Sequence, residues 1–152
     1  MTSNPFITGS LLITLSVVFH VAALVLLSKF LKQLNQTVCA WPQLIRKLLL
    51  LSFAVLYVIV VHTIEIVIWA GWYVHLGEFD SFIQAVYFST VTATTLGYGD
   101  LTLSTANQMI SGFEAIGGLV LFGVSTAFFI KLIGIFFDPD QSSGHFKMDD
   151  RS

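Results

Sequence analysis

Three long apolar runs divide the chain, at about residues 6–31, 48–73 and 106–137. Each is long enough for a helix to cross the hydrocarbon core of a bilayer, which takes about 20 apolar residues. The interruptions are few: His20 in the first run, His62 and Glu65 in the second, Glu114 and Lys131 in the third. Backbone groups in lipid must be satisfied within the segment, so helix is the form expected of all three. Between the second and third runs, residues 81–93 (SFIQAVYFSTVTA) form a shorter, amphipathic, largely apolar stretch. Ser81 and Gln84 have the spacing of a capping box, with Asp80 just ahead, and predict a short helix over about 81–93. A plain external loop would be polar throughout. This one reads as a helix that re-enters among the spans. Thr105 and Gln108 repeat the capping spacing ahead of the third run.

Composition strengthens the membrane reading. The chain is 55% hydrophobic and 11% charged, where soluble domains carry about 25% charged residues. Seven Lys and Arg and a net charge of −2 leave no basic patch for nucleic acid. A lone cysteine, Cys39, forms no internal disulfide and no paired metal motif, and reads as an unreactive thiol in a short loop. Residues 1–10 hold no Lys or Arg, so the first run lacks the charged start of a signal peptide and reads as a retained span. Lys29, Lys32, Arg46 and Lys47 cluster around the 32–47 connection, which has no acid. That connection is expected inside the cell, with the N-terminus and the 74–105 segment outside and the C-terminus inside. The small size points to a bacterial plasma membrane, entered as a multi-pass protein.

The segment after the short helix is Thr94-Thr95-Leu96-Gly97-Tyr98-Gly99-Asp100. Glycines at alternate positions permit dihedrals that other residues resist. Such a backbone can aim successive carbonyls at one axis and stand in for the hydration shell of a potassium ion. The stretch TTLGYGD resembles the selectivity-filter signature of the tetrameric potassium channels. The order span, short helix, filter, span resembles their pore module, and the likeness covers about residues 48–137.

The resemblance implies an all-α membrane protein with three transmembrane helices, a re-entrant pore helix and a filter, assembled as a homotetramer in the lipid bilayer. It implies K+ as the permeant ion, no cofactor and no enzyme activity. It divides the chain into an accessory helix and basic loop (1–47), the pore module (48–137) and a short polar tail (138–152) expected to be disordered. Carbonyls of Thr95, Leu96, Gly97 and Tyr98 would hold the ion. Thr94, Gly99, Asp100, Tyr87 and Phe88 would support the filter, with Asp100 at the outer mouth and the Tyr98 ring turned away from the axis. Two departures stand out: Leu96 replaces the commoner valine or isoleucine, and no proline follows Asp100. Alternatives of the same shape are a nonselective cation channel, which the full GYG argues against, and a non-conducting membrane subunit or scaffold. A potassium uptake transporter is disfavoured, because such chains carry four degenerate filter loops.

Gating residues are less legible. No segment carries Arg or Lys at every third position, so a voltage sensor is not expected. Glu65 lies eight residues before Tyr73 and Glu114 nine after Thr105, about 12 and 13 Å from the outer ends of their helices. His62 and Glu65 share a helical face. His62, Glu65 and Glu114 are expected either to form one polar cluster behind the filter, bracing it and making conduction sensitive to pH, or to act apart, with Glu65 reaching to the surface and Glu114 bonding backbone or the pore-helix threonines. Gly117 and Gly118 are candidates for a hinge in the third helix, or for close helix packing. His20 reads as a satisfied span histidine.

Overall fold

A computed structural model describes residues 4–38 and 41–137. Cys39 and the tail from residue 138 lie outside the described residues, and with them the readings of an unreactive thiol and of a disordered tail. The described residues form four helices: α1 (Pro5–Thr37), α2 (Gln43–His75), α3 (Phe82–Ala93) and α4 (Gln108–Phe137). Three of them are long and apolar enough to span a membrane, and α3 is the short helix between the second and third. This is an all-α membrane protein.

α1 starts where local chemistry favours a start. The Asn4 side chain accepts from the Phe6 amide at 3.0 Å, and Pro5 occupies the first helical turn, where its missing N–H costs nothing. The helix buries Leu12, Ser16, His20, Ala23, Leu27 and Leu31, a single stripe at helical spacing. α2 answers with Leu50, Ala54, Val58, Val61, Glu65, Trp69 and Tyr73. The two helices run past the apolar boundaries expected from sequence, so Lys32, Arg46 and Lys47 sit on helix rather than in a loop. Lys, Arg, Gln and Leu are good helix formers, and the helix continues through them into the interface.

α2 ends in a Schellman motif. Gly77 takes φ +74°, the Glu78 amide donates to the Tyr73 carbonyl and the Gly77 amide to that of Val74. Ser81 is the N-cap of α3, but its side chain makes no capping bond, so the expected box is not formed. The second expected box is displaced too: Asn107 and Gln108 amides donate to the Ser104 carbonyl, and 105–107 form a turn ahead of α4.

α3 packs between α2 and α4, while α1 lies against α2 and α4 and does not reach α3. One apolar cluster joins Trp69, Ala70, Tyr73, Ala85, Phe88, Leu103 and Ile110 around α3. A second joins Leu24, Leu27, Leu31, Leu50, Ala54 and Val58 between the far ends of α1 and α2.

Candidate functional site

The strand after α3 is held by the end of that helix. Thr95 N–H donates to the Thr92 carbonyl at 2.9 Å, and the Leu96 and Gly97 amides share the Val91 carbonyl at 2.9 and 3.2 Å. The Thr94 hydroxyl bonds back to the Thr90 carbonyl at 2.7 Å. Otherwise orphaned carbonyls at the helix end are thus satisfied by the strand itself. The backbone then alternates: Thr95, Gly97 and Gly99 take φ of +60°, +56° and +78°, while Leu96 and Tyr98 stay negative. Left-handed conformation at Thr95, which has a Cβ, costs about 1–2 kcal/mol. Every residue from 94 to 100 is exposed on the single chain, Leu96 at 55% and Tyr98 at 68%.

Further side-chain bonds hold the end of this strand and the segment that follows it. The Tyr87 hydroxyl of α3 donates to the Asp100 carboxylate at 2.8 Å. The Glu78 carboxylate, set by the turn after α2, accepts from the Ser104 amide at 2.7 Å, the Ser104 hydroxyl at 2.6 Å and the Asn107 amide group at 2.5 Å. Burial works to raise the Glu78 carboxyl, but these Asn107 and Ser104 bonds outweigh it and hold it below the ordinary carboxylate value. Glu78 was not singled out by sequence; Gly77 just past the last periodic residue of α2 was the signal that fixes its place. Phe88 is buried, edge-on to Tyr73 at 5.2 Å.

The intramembrane acids do not form a single cluster: they act apart, and Glu65 does not reach the surface but is buried. Glu114 accepts from the Tyr73 hydroxyl at 2.6 Å and from Ser89 of α3, whose hydroxyl also reaches the Ile66 carbonyl at 3.0 Å. This acid ties the third span to α2 and to the short helix. Glu65 binds elsewhere: its two oxygens meet His20 Nδ1 at 2.9 Å and His62 Nδ1 at 3.0 Å. His20 comes from α1, a helix whose partners cannot be read from its own sequence. The five residues expected to gate, His62, Glu65, Glu114, Gly117 and Gly118, nonetheless border one small cavity of about 20 Å³. Gly118 packs so closely on α3 that an added Cβ would stand 2.1 Å from the Ala93 carbonyl oxygen. This contact favours close packing over a free hinge at Gly118.

The geometry is that of an oriented backbone strand presented by a half-buried helix inside a bundle of spans. Non-helical backbone at membrane depth is tolerated where it is enclosed by protein or lines a water-filled path. The family described as Ion channel matches residues 48–134, more than half of the chain, and the protein belongs to this ion channel family. It is a multi-pass membrane protein of ion transport. No curated protein and no solved structure matches the chain.

Proposed function

We propose that the protein is a potassium-selective channel, conducting K+ passively through a filter built from the 94–100 strands of four copies. The observation that carries this reading is the alternation of φ sign from Thr95 to Gly99. In an extended strand of uniform handedness, successive carbonyls point to opposite sides. Alternating handedness turns them to the same side, as a column of oxygens that can replace water around a bare cation. The C-terminal end of α3 lies just before the strand, where the helix dipole favours positive charge.

One strand cannot surround an ion. Exposure of the whole strand on the single chain supports assembly about a cyclic axis, and four is the number the resemblance implies. The cluster of Lys29, Lys32, Arg46 and Lys47 at the α1–α2 junction supports a cytoplasmic junction and an outward-facing filter.

Flux from liposomes tests the proposal. Wild-type protein is expected to release K+ and to hold Na+. Gly99→Ala, which forces a Cβ onto φ +78°, is expected to abolish the K+ signal. Equal release of both ions would favour the nonselective reading, and no release of either would favour a non-conducting subunit.

A further inference from the structure

His20, His62, Glu65 and Ser125 close a ring that joins three helices. Each imidazole sets Nδ1 on one oxygen of the Glu65 carboxylate, at 2.9 and 3.0 Å. Each sets Nε2 on the single hydroxyl of Ser125, at 3.0 and 3.1 Å. His20 is fully buried, and His62 is stacked on Phe122 with ring centroids 4.3 Å apart. Both rings are therefore fixed in orientation as well as position.

With Glu65 as a carboxylate, two neutral imidazoles and one hydroxyl bring three protons to four contacts, so the ring does not close. A hydroxyl accepts two hydrogen bonds but donates only one. If both rings carry their proton on Nδ1, two bare Nε2 atoms compete for one Ser125 proton. If both carry it on Nε2, Ser125 accepts from both, but two bare Nδ1 lone pairs then face the Glu65 carboxylate at contact distance. Either pattern lacks one positive charge. A cation held between the two Nδ1 atoms and the carboxylate resolves the second pattern fully.

We propose that His20, His62 and Glu65 form a binding site for a divalent transition metal of the zinc class. The donor atoms of the three residues all lie within 4.8 Å of one another. Two donors about 2.1 Å from one tetrahedral ion sit roughly 3.4 Å apart, so the 2.9 and 3.0 Å separations need to open by only a few tenths of an ångström to admit it. Two imidazoles and a carboxylate are ligands that zinc accepts, with a fourth position left open. Ser125 completes the arrangement, since a ligating histidine hands its other N–H to a fixed acceptor that sets the tautomer. The 20 Å³ cavity bordered by His62 and Glu65 has room for about one water as the fourth ligand.

Each imidazole offers a bare Nδ1 to the ion, so its one remaining proton sits on Nε2 and is donated to Ser125. The bound ion joins α1 to α2 directly and orders Ser125 on α4. None of this rests on K+ selectivity, so the site and the channel reading stand or fall separately.

The test is a Zn2+ titration of the full chain in mild detergent, purified without a histidine tag and stripped with chelator, read by calorimetry. One Zn2+ per chain is expected, with no heat from Mg2+, which prefers oxygen ligands. His20→Ala and His62→Ala are each expected to weaken binding at least about 100-fold. Ser125→Ala, which keeps all three ligands, should cost about 10- to 100-fold. Trp69→Phe removes the neighbouring α1–α2 bond to Ser16 and leaves the donors intact, so its affinity should match wild type. X-ray absorption of the zinc complex should show a nitrogen and oxygen shell with two imidazoles. Absence of binding, equal binding of Mg2+, or binding that survives His20→Ala with His62→Ala would overturn the site and leave protons alone to close the ring.

Discussion

Gly118 is constrained by backbone and its neighbour Gly117 by a side chain. A Cβ on Gly118 would meet the Ala93 carbonyl oxygen at 2.1 Å, and one on Gly117 would meet Ile13 Cγ1 at 3.0 Å. Ile13 can give by a few tenths of an ångström, whereas the Ala93 carbonyl belongs to the last turn of α3. Gly118→Ala is therefore expected to displace α3 and cost about 1–3 kcal/mol, with Gly117→Ala well below that. Thermal melts in detergent check the order, and equal melting temperatures would contradict it. Glu78 gives a prediction in pH. Its carboxyl is held below the ordinary value in the folded chain, so its stabilisation is present above the ordinary carboxylate range and is lost as pH falls through the lower folded value. The melting temperature of Glu78→Gln should fall below wild type at pH 7, and the gap should close below about pH 4. A gap unchanged by acid would mean that the carboxylate charge is not what matters. At this scale the sequence was partly legible. TTLGYGD announced its own dihedrals, because alternate glycines have few other uses. The Glu78 bonds to Ser104 and Asn107 were not legible, since they join residues 26 and 29 positions apart.

Helix positions were readable from apolar runs, but their ends and pairings were not. α1 and α2 continue into the basic connection because hydropathy marks the lipid boundary and not the end of hydrogen bonding. Depth matching placed Glu65 and Glu114 on one level correctly enough to border a common cavity. It could not say which face each acid presents. Glu114 turns to Tyr73 and Ser89, while Glu65 turns to α1, and only the packing of His20 against α2 decides this. α1 is docked in three polar tiers: the Trp69 indole to Ser16 at 3.1 Å, the His20 ring, and the Tyr57 hydroxyl to the Ala23 carbonyl at 3.2 Å. Tyr57→Phe should cost about 0.5–1.5 kcal/mol, because the lost bond leaves a carbonyl already served by its own helix. Ser89→Ala should cost more, since it strips one partner from the buried Glu114 carboxyl. Denaturation midpoints of the two variants give the comparison, and a larger loss from Tyr57→Phe would contradict this ranking.

At the scale of the whole molecule, the single chain leaves one of its segments uncovered. Its α3 helix is clasped between α2 and α4, yet the strand that α3 presents is exposed from 94 to 100, with a leucine and a tyrosine ring uncovered. Ion channel membership accounts for the bundle, and the proposed assembly of four copies would cover the exposed strand. Mass measurement in mild detergent is expected to give four chains per particle, and a stable monomer would contradict the assembly. The account stands on one claim, that carbonyls along 95–98 select potassium by replacing its water. The reversal potential of wild-type protein in a planar bilayer, with K+ on one side and Na+ on the other, tests it most directly. Current should reverse far toward the potential at which only K+ carries charge; reversal near zero would contradict it.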